Sequence, residues 1–406
     1  MHDLKTLLHC QLLTPIQDEA QPELSIVIPA LNEELTIASF LAWCFEGIKR
    51  ANIATEILII DSSDDKTAEI ALAAGARVLK VPRRGLGRAY IDSLPYIRGK
   101  YVLMGDSDCT YDFREILPFV EKFRQGFEFI MGSRFRGHIE KGAMPPLHQY
   151  FGIPLTTLIY DLIYGQRFSD IHCGMRGITT DAFKRMHLQS QSWEYASEMV
   201  VKWSLLRLRV AEVPIKFYKD REGRLSHHKR LGFLSPWLAG WINLKVMLIY
   251  GADFFLLRPG IIAFLTGMFI AIYSFLIEPS HPDQSLPLSL LFAGALFAVM
   301  GLSASYSGVI TRVLYDLCNC DTNNWLDLFA YNRSIYCSLI LLFLGGVILL
   351  LGIWIEVLSQ QLSIYYKTLP FILAVLLFYW GSLNFTSMLI MHAILNLRTL
   401  KANLTD

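Results

Sequence analysis

The sequence predicts an α/β domain with a mostly parallel sheet, followed by an all-α membrane bundle of four transmembrane helices. The 406 residues exceed what one compact core usually organises. The hydrophobic content of 53% and the mean hydropathy of +0.37 are too high for an ordinary soluble protein. Short apolar runs alternate with polar loops up to about Tyr218, whereas long apolar blocks follow from about residue 256.

The first half of the chain contains five apolar, β-rich runs separated by helical patterns. The runs cover residues 24–30, 55–63, 76–82, 100–106 and 127–135. The helical patterns cover residues 33–49, 66–74, 87–96 and 113–126. Apolar strands that alternate with helices predict a parallel sheet covered on both faces. In such sheets ligands bind beyond the carboxyl ends of the strands.

Polar residues collect at these carboxyl ends. They follow the first, second, fourth and fifth runs, at residues 29–33, 61–65, 106–108 and 132–134. Asn32, Asp64 and Asp65 have a simpler interpretation, because Asn and Asp favour helix caps. Asp61 ends an apolar strand directly and is poorly placed to cap a helix, so ligand contact is favoured there.

Asp106 and Asp108 form the strongest candidate site. Side chains two residues apart on a strand point to the same side, so the two carboxylates are expected to lie close together. Such a pair is unfavourable unless a cation or water screens it. A Mg²⁺ or Mn²⁺ ion that bridges to a diphosphate takes hard oxygen ligands of this kind. The sequence therefore predicts a divalent-metal site after the fourth strand.

The second half contains four apolar segments that are long enough to cross a bilayer. About 20 residues, at about 1.5 Å each, cover the roughly 30 Å of hydrocarbon. Basic residues outnumber acidic ones between Lys216 and Lys245, before the first crossing. The positive-inside rule therefore places the N-terminal domain in the cytoplasm, at the inner membrane in a bacterium. The segments begin at Pro259, Leu286, Ser334 and Leu369.

We expect four regions along the chain: a tail at 1–22, a catalytic α/β domain at 23–225, interfacial helices at 226–256 and the transmembrane domain at 257–406. The tail lacks the pattern of a signal peptide. The apolar but interrupted segment 147–165 either lies in the membrane interface or forms a core helix. The net charge of +1 gives no reason to expect nucleic acid as a partner. The oligomeric state is left open.

Six motifs together resemble the family-two glycosyltransferases, which have the GT-A fold. The similarity covers roughly residues 24–250 and is greatest to polyprenyl- and dolichyl-phosphate sugar synthases. Over the four apolar segments the similarity lies only in the architecture, a membrane bundle that follows the catalytic domain. The motifs are PALNEE, IIDSSDDKT, MGDSDCTYDF, MGSRF, DIHCGMRG and WEYASEMV, in this order.

The resemblance implies a role for each matching residue. It places the metal and the diphosphate on Asp106 and Asp108, and the acceptor phosphate on Arg134. Arg136 and Lys141 cluster with Arg134 in the same loop and are further candidates for the acceptor phosphate. Thr110 departs from the Gln that dolichyl-type enzymes often have there. The residues expected to bind the nucleotide, as GDP or UDP, are Pro29, Leu31, Asn32, Glu33, Asp61, Ser107 and Arg224.

The expected function is an inverting, metal-dependent transfer of a sugar from a nucleotide sugar to a polyprenyl phosphate at the membrane. A lipid phosphate is mostly dianionic at pH 7 and needs little help from a base, so cations such as Arg134 matter more. A hydroxyl acceptor on a lipid or glycan would require a base, for which Asp170 and Glu198 are the candidates. A lipid transporter with a degenerate nucleotide domain is a third alternative, although the apolar segments carry almost no ionisable residues.

Overall fold

The computed structural model describes residues 10–165, 167–221, 235–277, 285–318, 322–358 and 361–405. The chain divides into two compact units, Met1–Met247 and Leu248–Asp406. The first unit is the α/β domain that the sequence predicts, and the second is helical. Each unit is described by itself.

The described part of the first unit is built on an eight-stranded sheet in the order β1-β4-β3-β2-β5-β7-β6-β8. Strands β2, β3, β4 and β5 pair in parallel, as do β6 and β8. Strands β1 and β7 are antiparallel to their neighbours. The strands are β1 (Gln11–Leu13), β2 (Leu24–Ala30), β3 (Thr55–Asp61), β4 (Arg77–Lys80), β5 (Tyr101–Met104), β6 (Phe129–Ile139), β7 (Arg176–Thr179) and β8 (Val210–Phe217).

Helices cover the sheet and bury the central strands almost completely. A 3₁₀ turn at Phe113–Glu115 and a π-helical turn at His148–Gly152 precede two of them. The α-helices of this part are α1 (Ile37–Ala51), α2 (Thr67–Ala73), α3 (Leu86–Ser93), α4 (Leu117–Arg124), α5 (Ile153–Tyr164), α6 (Thr180–Met186) and α7 (Tyr195–Leu205), and α8 (Ser235–Tyr250) continues from the first unit into the second. The predicted α/β class and its mostly parallel sheet are confirmed.

The prediction that Asp106 and Asp108 continue a strand is wrong. Strand β5 ends at Met104, where its pairing with Val27 of β2 also ends. Without a ladder partner the chain turns, and Cys109 adopts a left-handed conformation with φ of 60°. The two acids therefore lie on a turn beyond the sheet, and the strand alternation does not set their directions.

Strand β7 is an element that the apolar pattern did not reveal. It lies between β5 and β6, where Arg176 pairs with Met104 on one side and Met131 on the other. Because β7 runs antiparallel to both neighbours, its amino end lies at their carboxyl edge. The segment 170–175, which precedes β7, is thereby brought to the edge of the sheet where parallel strands bind ligands.

The opposite edge of the sheet holds a buried ion cluster around Glu56. The carboxylate of Glu56 accepts hydrogen bonds from Ser25, from Arg77, and from Arg98 through its backbone N–H at 2.8 Å and Nε at 2.7 Å. Arg98 also pairs with Asp18 at 2.8 Å, which ties the N-terminal segment to the domain. Burial raises the pKa of Glu56, but these hydrogen bonds and the Arg77 charge outweigh it and lower the pKa below its ordinary value.

The second unit contains helices that are long and apolar enough to cross a membrane, by length and composition. The four predicted apolar segments fall within them. These helices are α9 (Ala252–Ile277), α10 (Ser285–Tyr315), α12 (Tyr331–Leu358) and residues Ile364–Leu397 of α13 (Ile364–Thr405), and the short α11 (Thr322–Leu328) lies between the second and third.

Helices α9 and α10 pack closely through glycines. A Cβ atom at Gly301 would lie 2.2 Å from the backbone nitrogen of Phe264, and one at Gly267 would lie 2.4 Å from that of Ala298. Small residues allow such close approach of helix backbones in lipid, where no hydrophobic effect drives helices together. A polar contact adds to this packing in the described bundle: Asn384 of α13 donates to Ser338 of α12 at 2.9 Å.

We expect Glu56→Gln to lower the melting temperature of the full-length protein by about 10 °C at pH 7. The change removes a buried charge from its arginine partners, which costs about 3 kcal/mol. Because the pKa of Glu56 is lowered on folding, its stabilisation is present above the unfolded-state pKa of about 4.3 and is lost progressively as the pH falls from there through the lower folded-state pKa. Thermal unfolding at pH 7 and about pH 3 measures this. The exposed Glu46→Gln is the control, and an equal loss there would contradict the prediction.

We expect Gly301→Ala and Gly346→Ala to change the stability of the bundle in opposite directions. The new Cβ at Gly301 meets backbone and forces the helices apart, whereas Gly346 has no atom within 4 Å of a new Cβ. Gly346→Ala should raise the helix stability by up to about 1 kcal/mol, from helix propensity alone. Thermal unfolding in detergent compares the two, and a stabilised Gly301→Ala would contradict the packing described.

Candidate active site

The carboxyl edge of the sheet brings most of the predicted site residues together. The loops after β2, β3 and β5 lie side by side there, because these strands are neighbours in parallel register and Ala30 pairs with Asp61. The antiparallel β7 adds residues 170–175 and the carboxyl part of β6 adds Arg134. Arg224 lies outside the residues that the structure describes.

The loops after β2 and β3 hold each other in place. The backbone N–H of Asn32 donates to Ser63 Oγ at 2.8 Å, and Asp64 N–H donates to Asn32 Oδ1 at 3.0 Å. Asn32 adopts φ of 58°, a left-handed conformation that Asn tolerates better than most residues. The next residue, Glu33, is buried and donates from its backbone to Thr67 Oγ1 at 2.9 Å.

These contacts separate structural from candidate binding residues in the two loops. Asp65 Oδ1 accepts the N–H of Thr67 at 3.0 Å at the start of α2, whose N-cap position is Lys66. Asp61 is buried at the end of β3, and burial raises its pKa despite hydrogen bonds from Ser63. Pro29 and Leu31 are half-buried beside it. The arrangement forms one polar rim over adjacent strand ends.

The turn after β5 presents Asp106 and Asp108. Asp108 Oδ1 accepts hydrogen bonds from Thr110, through the backbone N–H at 3.0 Å and Oγ1 at 2.6 Å. Thr110 therefore orients Asp108. Ser107 is buried between the two acids, and its hydroxyl lies 3.4 Å from the carbonyl oxygen of Pro29.

Asp106 packs against the segment that precedes β7. A Cβ atom at Gly174 would lie 3.0 Å from both Asp106 Oδ2 and Tyr111 Oη, so only glycine leaves this space. The backbone N–H of Gly174 donates to Tyr111 Oη at 2.8 Å. Tyr195 lies nearby, where burial and the Asp106 charge raise its pKa to about 12, although Arg176 opposes this.

Arg176 organises the segment that precedes β7. Its guanidinium is buried and donates to three backbone carbonyls: Cys173 at 2.7 Å, Ile171 at 3.1 Å and Ala196 at 2.6 Å. These bonds fix the curvature of the loop and join it to the first turn of α7. The motif DIHCGMRG contains this arginine. Its role in holding the loop depends on strand β7, which the apolar pattern did not reveal.

Arg134 and Asp170 form a buried, two-point ion pair. Arg134 Nε donates to Asp170 Oδ2 at 2.6 Å and Nη2 donates to Oδ1 at 2.8 Å. Burial raises the pKa of Asp170, but the Arg134 charge prevails and lowers it below its ordinary value. Among the described residues, none hydrogen-bonds to Arg134 Nη1. Asp170 thus orients a permanently charged guanidinium whose Nη1 amino group is available to a ligand.

The other predicted cations are not gathered around Arg134. Arg136 Nε lies 3.0 Å from Glu212 Oε2, and Lys141 is exposed on the loop that follows β6. His172, two residues after Asp170, is kept neutral. Burial lowers its pKa to about 4, although the charge of Asp170 opposes this shift. Arg134 and Arg176 therefore supply the positive charge at the segment 170–175.

Glu198, one of two candidate bases, is buried and engaged. Its carboxylate accepts the backbone N–H groups of Gln189 and Ser190 at 3.0 Å and 2.8 Å, and it pairs with Lys202 at 2.6 Å. Burial alone would raise the pKa of Glu198. The Lys202 charge and these hydrogen bonds outweigh burial, so the pKa lies below its ordinary value. Glu198 therefore fixes the loop before α7. The other candidate base, Asp170, is kept ionised by Arg134.

The oxygen donors on the β5 turn fit a Mg²⁺ or Mn²⁺ ion shared with a diphosphate. Such ions are held in proteins by one or two carboxylates, with water and substrate phosphates completing the shell. In the described part of the chain there is no group of three or more His, Cys, Asp or Glu residues that would form a full protein cage. Two carboxylates and an open rim match the diphosphate-sharing kind of site.

Comparison with known proteins gives the family. The model of glycosyl transferase family 2 matches residues 25–186. The dolichyl-phosphate hexose transferase of Haloferax volcanii is 30% identical over 208 residues, which cover 50% of this chain and 85% of that protein. The chain therefore belongs to glycosyltransferase family 2, and the resemblance that the motifs indicated is confirmed.

Two further proteins are similar to parts of the chain. The low-salt glycan biosynthesis hexosyltransferase Agl6 of Haloferax volcanii is 38% identical over 251 residues, which cover 62% of this chain and 59% of that protein. The chain thus spans less than two thirds of the length of this relative. Among solved structures, the glucosyl-3-phosphoglycerate synthase of Mycobacterium tuberculosis aligns with 22% identity and a TM-score of 0.42, over 56% of this chain and 81% of its own.

We expect Arg134→Lys to lower transferase activity by about 10- to 100-fold. Lysine cannot bond both oxygens of Asp170 and also present a second amino group, and each lost charge-assisted hydrogen bond costs about 1.5–3 kcal/mol. The control is Arg185→Lys, an exposed arginine that pairs with Glu128 and Asp181. Steady-state rates of both variants with the same substrates measure the effect. Equal rates for the two would contradict the role given to Arg134.

Proposed function

We propose that the protein transfers a hexose from a GDP- or UDP-linked sugar to a polyprenyl phosphate, with inversion at the sugar carbon and with Mg²⁺ or Mn²⁺. Family membership supports the sugar transfer. The observation that carries the choice of acceptor is the state of the two candidate bases, Asp170 and Glu198. Both are buried and engaged with cations, which suits an acceptor that is already ionised.

The chain's own residues divide the work along the sheet edge. The rim formed by the loops after β2 and β3 binds the nucleoside, with Asp61 and Asn32 as its polar contacts. Asp106 and Asp108 would hold the divalent ion, which would offset negative charge on the leaving diphosphate. Arg134, oriented by Asp170, binds the acceptor phosphate through Nη1 and so brings two anionic substrates together.

Helix α5 supports a lipid acceptor. One face of segment 147–165 is buried through residues such as Tyr160, so the core-helix interpretation is partly right. The other face is exposed and apolar at helical spacing, which is typical of an interfacial helix. The exposed residues are Leu147, Phe151, Leu155, Leu158 and Leu162.

The proposal also places the α/β domain at the cytoplasmic face of the membrane. The four helices that are long enough to cross a bilayer support a membrane-anchored enzyme. The excess of basic residues before the first of them supports the orientation. The membrane and the polyprenyl phosphate are then the partners that the chain requires besides its nucleotide sugar.

The test is to incubate the full-length protein with polyprenyl phosphate and a panel of GDP- and UDP-linked sugars, and to identify the lipid product by mass spectrometry. We expect an acid-labile phospholipid-linked sugar. Asp106→Asn and Asp108→Asn should lower its formation by about 10²–10³-fold, since each removes charge that acts on the leaving group.

Asp64→Asn is the matched control, because Asp64 is an exposed acid on the neighbouring loop. We expect it to keep the wild-type rate. Sugar transfer to a lipid or glycan hydroxyl in place of the phosphate would support the alternative transferase. Wild-type rates in both Asp106→Asn and Asp108→Asn would contradict the site itself.

A further inference from the structure

A second concave site lies at the outer edge of the sheet, along strand β8. The pocket has a volume of about 600 Å³ and is lined by residues from β6, α7, β8 and the loop that follows α5. Strand β8 is the terminal strand of the sheet, away from β2, β3 and β5. Of the residues discussed for the sugar transfer, only Arg136 lines it. We call this cavity the β8 pocket.

The β8 pocket is rich in guanidinium groups. Arg136, Arg167 and Arg207 line it, and Glu212 is the acidic residue among the lining residues. The carboxylate of Glu212 is engaged, with Oε1 accepting from the backbone N–H and hydroxyl of Ser169 at 2.8 and 2.9 Å. Its Oε2 lies 3.0 Å from Arg136 Nε.

Asp161 contributes a second negative charge close to the β8 pocket. Its carboxylate accepts the backbone N–H of Phe168 at 3.2 Å. It also lies close enough to Glu212 and Arg167 for both charges to affect its pKa. Three arginines against these two acids leave a net positive charge, which favours an anionic ligand.

Trp203 contributes a buried aromatic ring to the lining of the β8 pocket. It is only 2% exposed and packs against Phe129, Tyr160 and Phe168. Within the described ranges, its indole Nε1–H has no hydrogen-bond partner. A buried N–H that is left unpaired costs about 1–3 kcal/mol.

Arg207 has a backbone conformation that is unusual for a residue with a side chain. Arg207 ends α7 in a left-handed conformation with φ of 52°, and its N–H donates to Ser204 at 3.1 Å. Glycine is the usual residue at this cap, because a side chain there is disfavoured. The chain instead has an exposed arginine at this position, on the lining of the β8 pocket.

We propose that the β8 pocket binds the phosphate of an anionic phospholipid headgroup. Guanidinium groups bind phosphate oxygens in pairs and remain charged at every physiological pH. The membrane-crossing helices of the same chain would keep the pocket at a high effective concentration of headgroups, unlike free phosphate. Gly165, which ends α5, also lines the pocket, and α5 carries the exposed apolar face that suits acyl chains.

The test uses full-length protein in neutral detergent, without nucleotide sugar, so that its outcome is independent of the proposed transfer reaction. Native mass spectrometry counts bound short-chain phosphatidylglycerol, with short-chain phosphatidylcholine and inorganic phosphate as separate arms. We expect phosphatidylglycerol adducts on the wild-type protein. Arg167→Gln with Arg207→Gln should lower their occupancy by about 10-fold.

Arg124→Gln with Arg209→Gln is the matched control, since it removes two exposed positive charges that do not line the β8 pocket. It should keep the wild-type occupancy. Circular dichroism of both double variants checks that they are folded. Equal loss in the two double variants would overturn the pocket assignment. Retention of inorganic phosphate or phosphatidylcholine as strong as that of phosphatidylglycerol would overturn the assignment to an anionic lipid.

Discussion

The antiparallel insertion of β7 between β5 and β6 is the constraint on which the candidate site depends. It carries residues 170–175 to the carboxyl edge of an otherwise mostly parallel sheet. There Asp170 meets Arg134, and Gly174 leaves room for Asp106. Arg176, held by three carbonyls, fixes the same segment. A shift of β7 by one residue would invert its side chains and separate these contacts.

The two edges of the sheet have different tasks. At the amino edge the buried Glu56 cluster neutralises its charges internally and ties Asp18 to the domain, so it serves stability. At the carboxyl edge, Asp106, Asp108 and Arg134 carry charged atoms that a charged substrate can bind. Burying charge at both edges is costly unless each group is paired, and Arg134–Asp170 and Glu56–Arg98 meet that condition.

Much of the fold follows from local sequence. The apolar runs of β2 and β3 are continuous and are bounded by polar residues, so their strands begin at the predicted residues. Strands β7 and β8 are not visible in this way, since RGIT is short and VAEVPIKF alternates with charged residues. Their places are set by pairing with distant strands, which periodicity does not report.

The site was predictable to a similar extent. Asp106 and Asp108 follow a recognisable strand, and their motif identifies the edge, although the turn geometry depends on Phe113 and Gly105 packing behind it. The partner of Arg134 is 36 residues away and arrives only through β7, so the sequence did not pair them. Glu198, left open as a base, holds a loop through two backbone N–H groups.

The most direct test is anomalous diffraction from crystals of the full chain grown with Mn²⁺ and a nucleoside diphosphate. The account predicts one manganese peak coordinated by the carboxylates of Asp106 and Asp108 and by the diphosphate oxygens. An ordered nucleoside diphosphate whose manganese ion lies away from both aspartates would contradict it.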